Sequence, residues 1–307
     1  MLARDVAISL GVAAALAAVA VVIALLEGQA ADVLPATAVL GGTAGLVASA
    51  LTLAVLAAFP QHAPAPDVRL LELASPGHPL LKRLMLDAPG TYTHSLLVGH
   101  LAEQAAEEIA AYPLLARVGG YYHDVGKLHR PEYFCENQIE APNPHEAAAP
   151  SDSAGIITAH VTDGLMLADA YALPESVCAI IREHHGTSLV RYFYEKAFSC
   201  QGAPTETEYR YEGERPNSRE AALVMLADIA EAAVRCIRTP TSERVEAVVR
   251  QVVEQRVADG QLDESGIRDA DLEKVTRVYA RMLQGMTHPR VEYPPESERP
   301  VNERERV

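Results

Sequence analysis

Hydrophobic positions are spread unevenly, and the chain changes character near residue 60. Residues 6–26 form an unbroken apolar stretch bounded by Asp5 and Glu27, and residues 33–59 form a second with no charge inside it. About 20 apolar residues suffice for a helix to cross the hydrocarbon core. The two stretches predict a two-helix transmembrane hairpin with a polar turn at 27–32. Gly41, Gly42, Gly45 and Ser49 would let the spans approach closely. Residues 60–66, rich in Pro and Ala, make a linker. Beyond it the apolar residues recur at helical spacing. Leu96, Leu97, Leu101 and Ala105 mark a helix over 93–110. Further helices are predicted over 114–123, 151–171, 174–185, 218–238, 242–258 and 271–286. Ser151 or Asp152 would cap the third, Pro174 would open the fourth and Gly186 would close it. Residues 129–150 and 202–215 read as loops, the latter with a short extended piece at 208–211. The Pro-, Glu- and Arg-rich residues 294–307 read as a disordered tail.

The domain plan is therefore a hairpin over 1–59, a linker over 60–66, an all-α domain over 67–293 and a tail. Arg4 precedes the first span, Arg69, Lys82 and Arg83 follow the second, and the turn between carries no Lys or Arg. The positive-inside rule then places both ends, and the main domain, in the cytoplasm of a multi-pass protein of the cell membrane. A signal peptide cleaved near residues 29–31 is a competing reading of the first stretch, and two buried core helices are another. The second span would still bring the main domain to the cytoplasmic side if the first were cleaved.

Charge and cysteine content narrow the function. A formal net charge of −15 argues against a broad basic surface and hence against a nucleic-acid polymer as partner. A small phosphate substrate remains compatible, because bound cations can supply positive charge locally. The four cysteines, Cys135, Cys178, Cys200 and Cys236, contain no C-x-x-C pair. They read as reduced thiols of a cytosolic domain.

Candidate chemistry concentrates in the helical part. His123 and Asp124 end one predicted helix. His94, His160, the doublet His184-His185 and Asp228 lie in, or at the end of, segments otherwise rich in Ala, Leu, Ile and Val. Burying this many imidazoles and carboxylates is costly unless they are paired or hold metal. Imidazole and carboxylate together suit iron, manganese or zinc better than calcium or magnesium. Five His and two Asp exceed one ion's needs and fit two ions bridged by a carboxylate. Taken singly, any of these histidines reads as a packed or capping residue, and Asp228 as a partner of Arg235.

The order His, His-Asp, His, His-His, Asp resembles the HD superfamily of metal-dependent phosphohydrolases. It is more closely similar to the seven-transmembrane HD phosphodiesterases of the PgpH type. The stretches that carry the likeness include 88–95 (Ala-Pro-Gly-Thr-Tyr-Thr-His-Ser), 121–128 (Tyr-Tyr-His-Asp-Val-Gly-Lys-Leu), 143–145 (Asn-Pro-His) and 184–190 (His-His-Gly-Thr-Ser-Leu-Val). It extends through 225–228 (Met-Leu-Ala-Asp) to 288–294, and spans about 68–294. The resemblance implies an all-α HD-domain helical bundle, preceded here by the hairpin. It implies hydrolysis of cyclic di-AMP to linear pApA through a hydroxide bridging two divalent ions, iron or manganese. His94, His123, Asp124, His160, His184, His185 and Asp228 match the metal ligands, with Asp124 as the bridge. His94, His123 and Asp228 would hold one ion, and His160, His184 and His185 the other. His123 and Asp124 would form the catalytic core. Lys127, one helical turn past His123, and the hydroxyls of Thr187 and Ser188 would contact substrate phosphate. Lys127 as a surface lysine or a structural ion-pair partner is the competing reading.

The family usually has about seven spans and a large extracytoplasmic sensing domain, whereas this sequence corresponds to the last hairpin and the catalytic domain. Signal input would then come through the hairpin or from a regulatory membrane partner, if it is kept. The expected partners are the cyclic dinucleotide, membrane lipid around the hairpin and a second copy or regulatory protein. Another cyclic or linear nucleotide is the alternative substrate; for cyclic di-GMP, the Gly-Tyr-Pro motif of enzymes of that kind is absent. A non-catalytic dinucleotide receptor is the alternative from another class. Such a domain would be expected to have lost ligands, and all seven positions carry ligating side chains.

Overall fold

A computed structural model describes residues 34–58, 68–138 and 142–286, with short helical pieces at 19–20 and 22–23. The chain divides into two compact units, Met1–Asp67 and Val68–Val307.

In the first unit, helix α1 (Leu34–Ala58) contains no charged residue. Among the described residues, whose side chains in α1 are those of 35–48, no helix is long and apolar enough to cross a membrane. The predicted first span, the linker and the tail lie almost wholly outside the described residues. The transmembrane hairpin is thus not shown.

Among the described residues the regular elements of the second unit are all helices, and the β-structure is one isolated antiparallel bridge between Leu189 and Arg210. Its helices are α2 (Val68–Leu73), α3 (Pro79–Asp87), α4 (Pro89–Glu108), α5 (Pro113–Tyr122), α6 (Pro150–Ala170), α7 (Glu175–Glu183), α8 (Arg191–Gln201), α9 (Arg219–Arg235), α10 (Ser242–Ala258) and α11 (Asp269–Met286). Proline sets several starts. Pro79, Pro89, Pro113 and Pro150 each stand in the first turn, where a missing N–H costs nothing. Hence α4 begins four residues before the predicted start. For α6 neither Ser151 nor Asp152 is the cap: Ala149 holds that position with no side-chain bond. Pro174 is the residue before α7 and not its first. Side-chain caps close two other starts, with Ser218 accepting from the Ala221 N–H and Thr241 from that of Arg244.

Two apolar clusters hold the bundle. One joins α4, α9, α10 and α11 through Leu101, Leu223, Leu226, Val249 and Tyr279. The other joins α2, α3, α5 and α7 through Leu70, Leu80, Leu84, Tyr122 and Ile181. Two fully buried tyrosine hydroxyls find carbonyls: Tyr122 donates to Leu73 at 3.0 Å and Tyr279 to Leu223 at 2.8 Å, so neither leaves an unsatisfied polar atom. A third, smaller cluster of Ala154, Phe193, Ala197 and Tyr209 seats α8 against α6.

Helix α8 has no counterpart in the predicted elements, because its buried face is little more than Phe193 and Ala197. Residues 206–209 form a short 3-10 turn, so the extended piece expected at 208–211 shrinks to the single bridge at Arg210. The long loop after α5 is a chain of short 3-10 turns, Val125–His129, Pro131–Tyr133, Cys135–Asn137 and Pro144–Glu146. It is fastened to the start of α4. The Asn137 amide oxygen accepts from the Thr91 N–H at 3.1 Å, and the Thr91 hydroxyl donates to Glu136 at 3.2 Å. A Cβ on Gly90 would lie 1.8 Å from the Glu136 carbonyl oxygen, so only glycine permits this approach.

Candidate metal centre

Five helices bring the site together. His94 comes from α4, His123 and Asp124 from the end of α5, and His160 from α6. His184 and His185 follow α7, and Asp228 comes from α9. Each lies on or just after a helix packed into one of the two main clusters, so the site sits where the clusters meet.

The backbone aims the rings. Nδ1 of His123 donates to the Gly120 carbonyl at 2.7 Å, Nδ1 of His160 to Ile157 at 2.5 Å and Nδ1 of His184 to Ile181 at 2.8 Å. In each case the acceptor lies three residues earlier, where a helical carbonyl is within reach. His94 instead places Nδ1 2.7 Å from the Glu231 carboxylate. Holding the proton on Nδ1 leaves Nε2 as a lone pair, the arrangement that outer partners impose on ligating histidines. These Nε2 atoms converge. Those of His160 and His184 are 3.2 Å apart.

Asp124 lies at the centre, buried. Its Oδ1 is 3.3 Å from His160 Nε2 and 3.8 Å from His184 Nε2. Its Oδ2 is 3.2 Å from His123 Nε2 and 3.5 Å from His94 Nε2. Asp228 Oδ1 lies 3.1 Å from His94 Nε2. Two sets of ligand atoms, each within a 4.8 Å span, could hold a metal ion: Asp124, His160, His184 and His185, and His94, His123, Asp124 and Asp228. Asp124 belongs to both. Nε2 of His94, Nε2 of His123 and Oδ1 of Asp124 are buried without a hydrogen-bond partner, while Oδ2 of Asp124 is ion-paired with Lys127. Buried polar atoms are rarely left so. A pair of divalent cations fits this donor set of imidazole nitrogen and carboxylate oxygen.

The two sets differ electrostatically. Burial drives His184 down to about 3, aided by the neighbouring His123 and His160, and it holds His185 far below its ordinary value. His160 is lowered by burial too. Burial thus favours the neutral form of these rings, the form a ligand must have. In the other set burial also acts to lower His123, but Asp124 and Asp228 outweigh it and raise the ring to about 10. Burial acts to raise both carboxyls, yet the surrounding cationic groups keep Asp124 and Asp228 far below the usual carboxylate range. The carboxylates create a negative field on that side which a cation must answer.

Lys127 is the structural partner and not a surface lysine. Its ammonium lies 2.6 Å from Asp124 Oδ2 and 2.9 Å from Glu136 Oε1, against the face of Phe134. Arg235 approaches Glu231 at 3.6 Å, so it is not an ion-pair partner of Asp228. Thr187 is tied away: its N–H and hydroxyl both engage the Gln261 side chain. Ser188 is buried with an unpartnered hydroxyl. Neither lines the cavity of about 240 Å³ beside the two sets, whose walls include Lys127, Phe134, Tyr211, Asp228 and Arg256. His78, His100, His129 and His145 fall in neither set.

Four residues around the site escaped sequence reasoning: Glu231, Glu136, Tyr211 and Arg256. Glu231 had one available signal. It lies three residues after Asp228 on α9, on the same helix face. Tyr211 stacks on His185, with ring centres 4.2 Å apart, and no local pattern announces it.

Known proteins resemble this chain over the same region. The HD domain family matches residues 91–233. The cyclic-di-AMP phosphodiesterase PgpH of Bacillus subtilis is 44% identical over 227 residues, covering 74% of this chain and 32% of that protein. Its namesake in Listeria monocytogenes is 41% identical over 226 residues, with the same coverage. The chain thus spans about a third of the length of the curated relatives it matches. The crystal structure of the L. monocytogenes PgpH HD domain in complex with cyclic di-AMP superposes with a TM-score of 0.67 at 39% identity, over 69% of this chain and 99% of that one.

Proposed function

Because the chain belongs to the HD-domain family, we propose that it is a metal-dependent phosphodiesterase that hydrolyses cyclic di-AMP to linear pApA. The observation that carries this reading is the shared position of Asp124 between two buried sets of ligand atoms. The relatives named as cyclic-di-AMP phosphodiesterases supply the substrate class.

In this reading His94, His123 and Asp228 hold one divalent ion, and His160, His184 and His185 the other, with Asp124 between. The donor set suits iron, manganese or zinc, and the resemblance to the PgpH-type enzymes favours iron or manganese among them. Bound there, a pair of divalent ions would supply Lewis acidity and lower the pKa of a bound water. The chain's own residues do the rest. The carbonyls of Gly120, Ile157 and Ile181 keep the ring lone pairs aimed inward. Lys127 fixes the Asp124 carboxylate and offsets part of its charge. Phe134 and Tyr211 supply aromatic walls to the cavity beside the two sets.

The sequence also supports anchoring by a hairpin over residues 6–26 and 33–59, with residues 67–293 as a cytoplasmic catalytic domain. The basic residues flanking the apolar stretches argue for that side.

The test is elemental analysis of the purified full chain together with product identification. About two ions per chain and pApA as product are expected. Protein that holds two ions and leaves cyclic di-AMP intact contradicts the proposal.

A further inference from the structure

The cavity beside the metal sets, about 240 Å³, is small against the roughly 300–1,000 Å³ of ordinary small-molecule sites. A cyclic dinucleotide carries two nucleotides and two phosphates and must extend past it. Arg256 and Ile229 line this cavity and also border a second space of about 580 Å³, whose other walls include Leu189, Arg191, Arg210 and Gln255. Arg256 therefore stands at the junction of the two.

The cations around these spaces are mostly committed. Lys127 is held by Asp124 and Glu136. Arg210 makes close contacts to both Glu206 and Asp259. Arg191 is exposed and lies 3.9 Å from Glu195. Among the described residues no hydrogen bond or ion pair engages the Arg256 side chain, and its Nε is buried without a partner. Burial lowers its pKa, although Asp228 and Asp259 act to raise it. A desolvated, unpaired guanidinium gains more from an anion than an exposed one does. Its planar fork also matches two phosphate oxygens at once.

The reacting phosphate finds its positive charge at the two metal sets, and the other phosphate of the ring needs a cation of its own. Resting on the function proposed above, we infer that Arg256 binds the phosphate of the cyclic dinucleotide that is not being cleaved. It is a substrate-binding residue that sets specificity for a substrate with two phosphates over a simple phosphodiester.

The experiment compares the full-length protein with Arg256→Gln and Arg256→Lys on two substrates, cyclic di-AMP and bis(p-nitrophenyl) phosphate, with manganese content measured for each. For Arg256→Gln the KM for cyclic di-AMP should rise about 10- to 100-fold, the span expected for losing a charge-assisted hydrogen-bond pair. Arg256→Lys should fall between. The simple diester should lose far less, so the ratio of the two kcat/KM values shifts, and manganese content should stay level. Equal losses on both substrates, or no change on either, would overturn the inference while leaving the proposed function standing. A wild-type protein that cleaves the simple diester but not cyclic di-AMP would overturn both.

Discussion

The ammonium of Lys127 lies 2.6 Å from Oδ2 of Asp124, the same oxygen that faces the Nε2 atoms of His123 and His94. One carboxylate oxygen thus answers a lysine and two imidazoles, while its twin faces His160 and His184. Asp124 joins the two halves of the site, and its loss should be felt by both.

Replacing Asp124 by Ala should lower manganese content from about two ions per chain to below one and reduce turnover on the order of a thousandfold. His100, exposed and outside both sets, provides the control. His100→Ala should stay within severalfold of wild type. Substantial activity in Asp124→Ala would rule out a bridging role.

Lys127→Met should leave Asp124 and Glu136 without their common cation. Breaking a buried pair on one side costs about 3–5 kcal/mol, and Lys127 retains some exposure, so the lower end applies. The loss should be larger in chelator-treated protein than in manganese-loaded protein, where bound cations compensate Asp124. Equal denaturation midpoints for variant and wild type after chelation would contradict the ion-pair role.

Much of this site is legible in the sequence, because each matching ligand sits in a segment whose apolar periodicity fixes which face it occupies. His94, His160 and Asp228 share their helices with core residues such as Leu101, Val161 and Leu226. Contacts between segments distant in sequence are not legible. Gln261 reaches Thr187 across 74 residues and removes it from the cavity. Lys127 looked like a residue one α-turn past His123. In fact α5 ends at Tyr122 and residues 125–129 tighten into a 3-10 turn, which brings Lys127 back onto Asp124. Arg256 lies on a helix whose sequence alternates charge and valine, so nothing separates it from its solvent-facing neighbours. Tyr211 follows a polar loop and reaches His185 only through the bridge at Arg210.

That 3-10 turn has a steric requirement. A Cβ on Gly126 would lie 1.8 Å from the His160 carbonyl oxygen and 2.5 Å from the Gly164 nitrogen, both backbone atoms of α6. Gly126→Ala must push α6 away. Overpacking of this kind costs about 1–3 kcal/mol, or roughly 2–4 °C in Tm per kcal/mol for a unit of this size. Turnover should fall further than stability predicts, because His160 moves with α6. Thermal unfolding and kcat/KM measured together check this, and an unchanged value of both would refute the close packing.

The chelator-treated protein should be most stable near pH 6.5. His184, driven to about 3 by burial, takes up its proton in the unfolded chain first, where its pKa is about 6.5. Stability therefore falls as pH drops from 6.5 toward 3. His123, raised to about 10, contributes stability that is fully present below pH 6.5 and lost as pH rises through 10. Denaturation midpoints at pH 4.5, 6.5 and 9 should form a peak. A midpoint rising steadily from pH 4.5 to 9 would contradict the opposed environments of the two histidines.

The most direct measurement is turnover of cyclic di-AMP against cyclic di-GMP by the purified full chain with manganese or iron(II), with the product identified. Preferential cleavage of cyclic di-AMP to pApA is the predicted result. Cleavage of neither, in protein shown to carry two ions, would contradict the central claim, and preference for cyclic di-GMP would contradict its assignment of substrate.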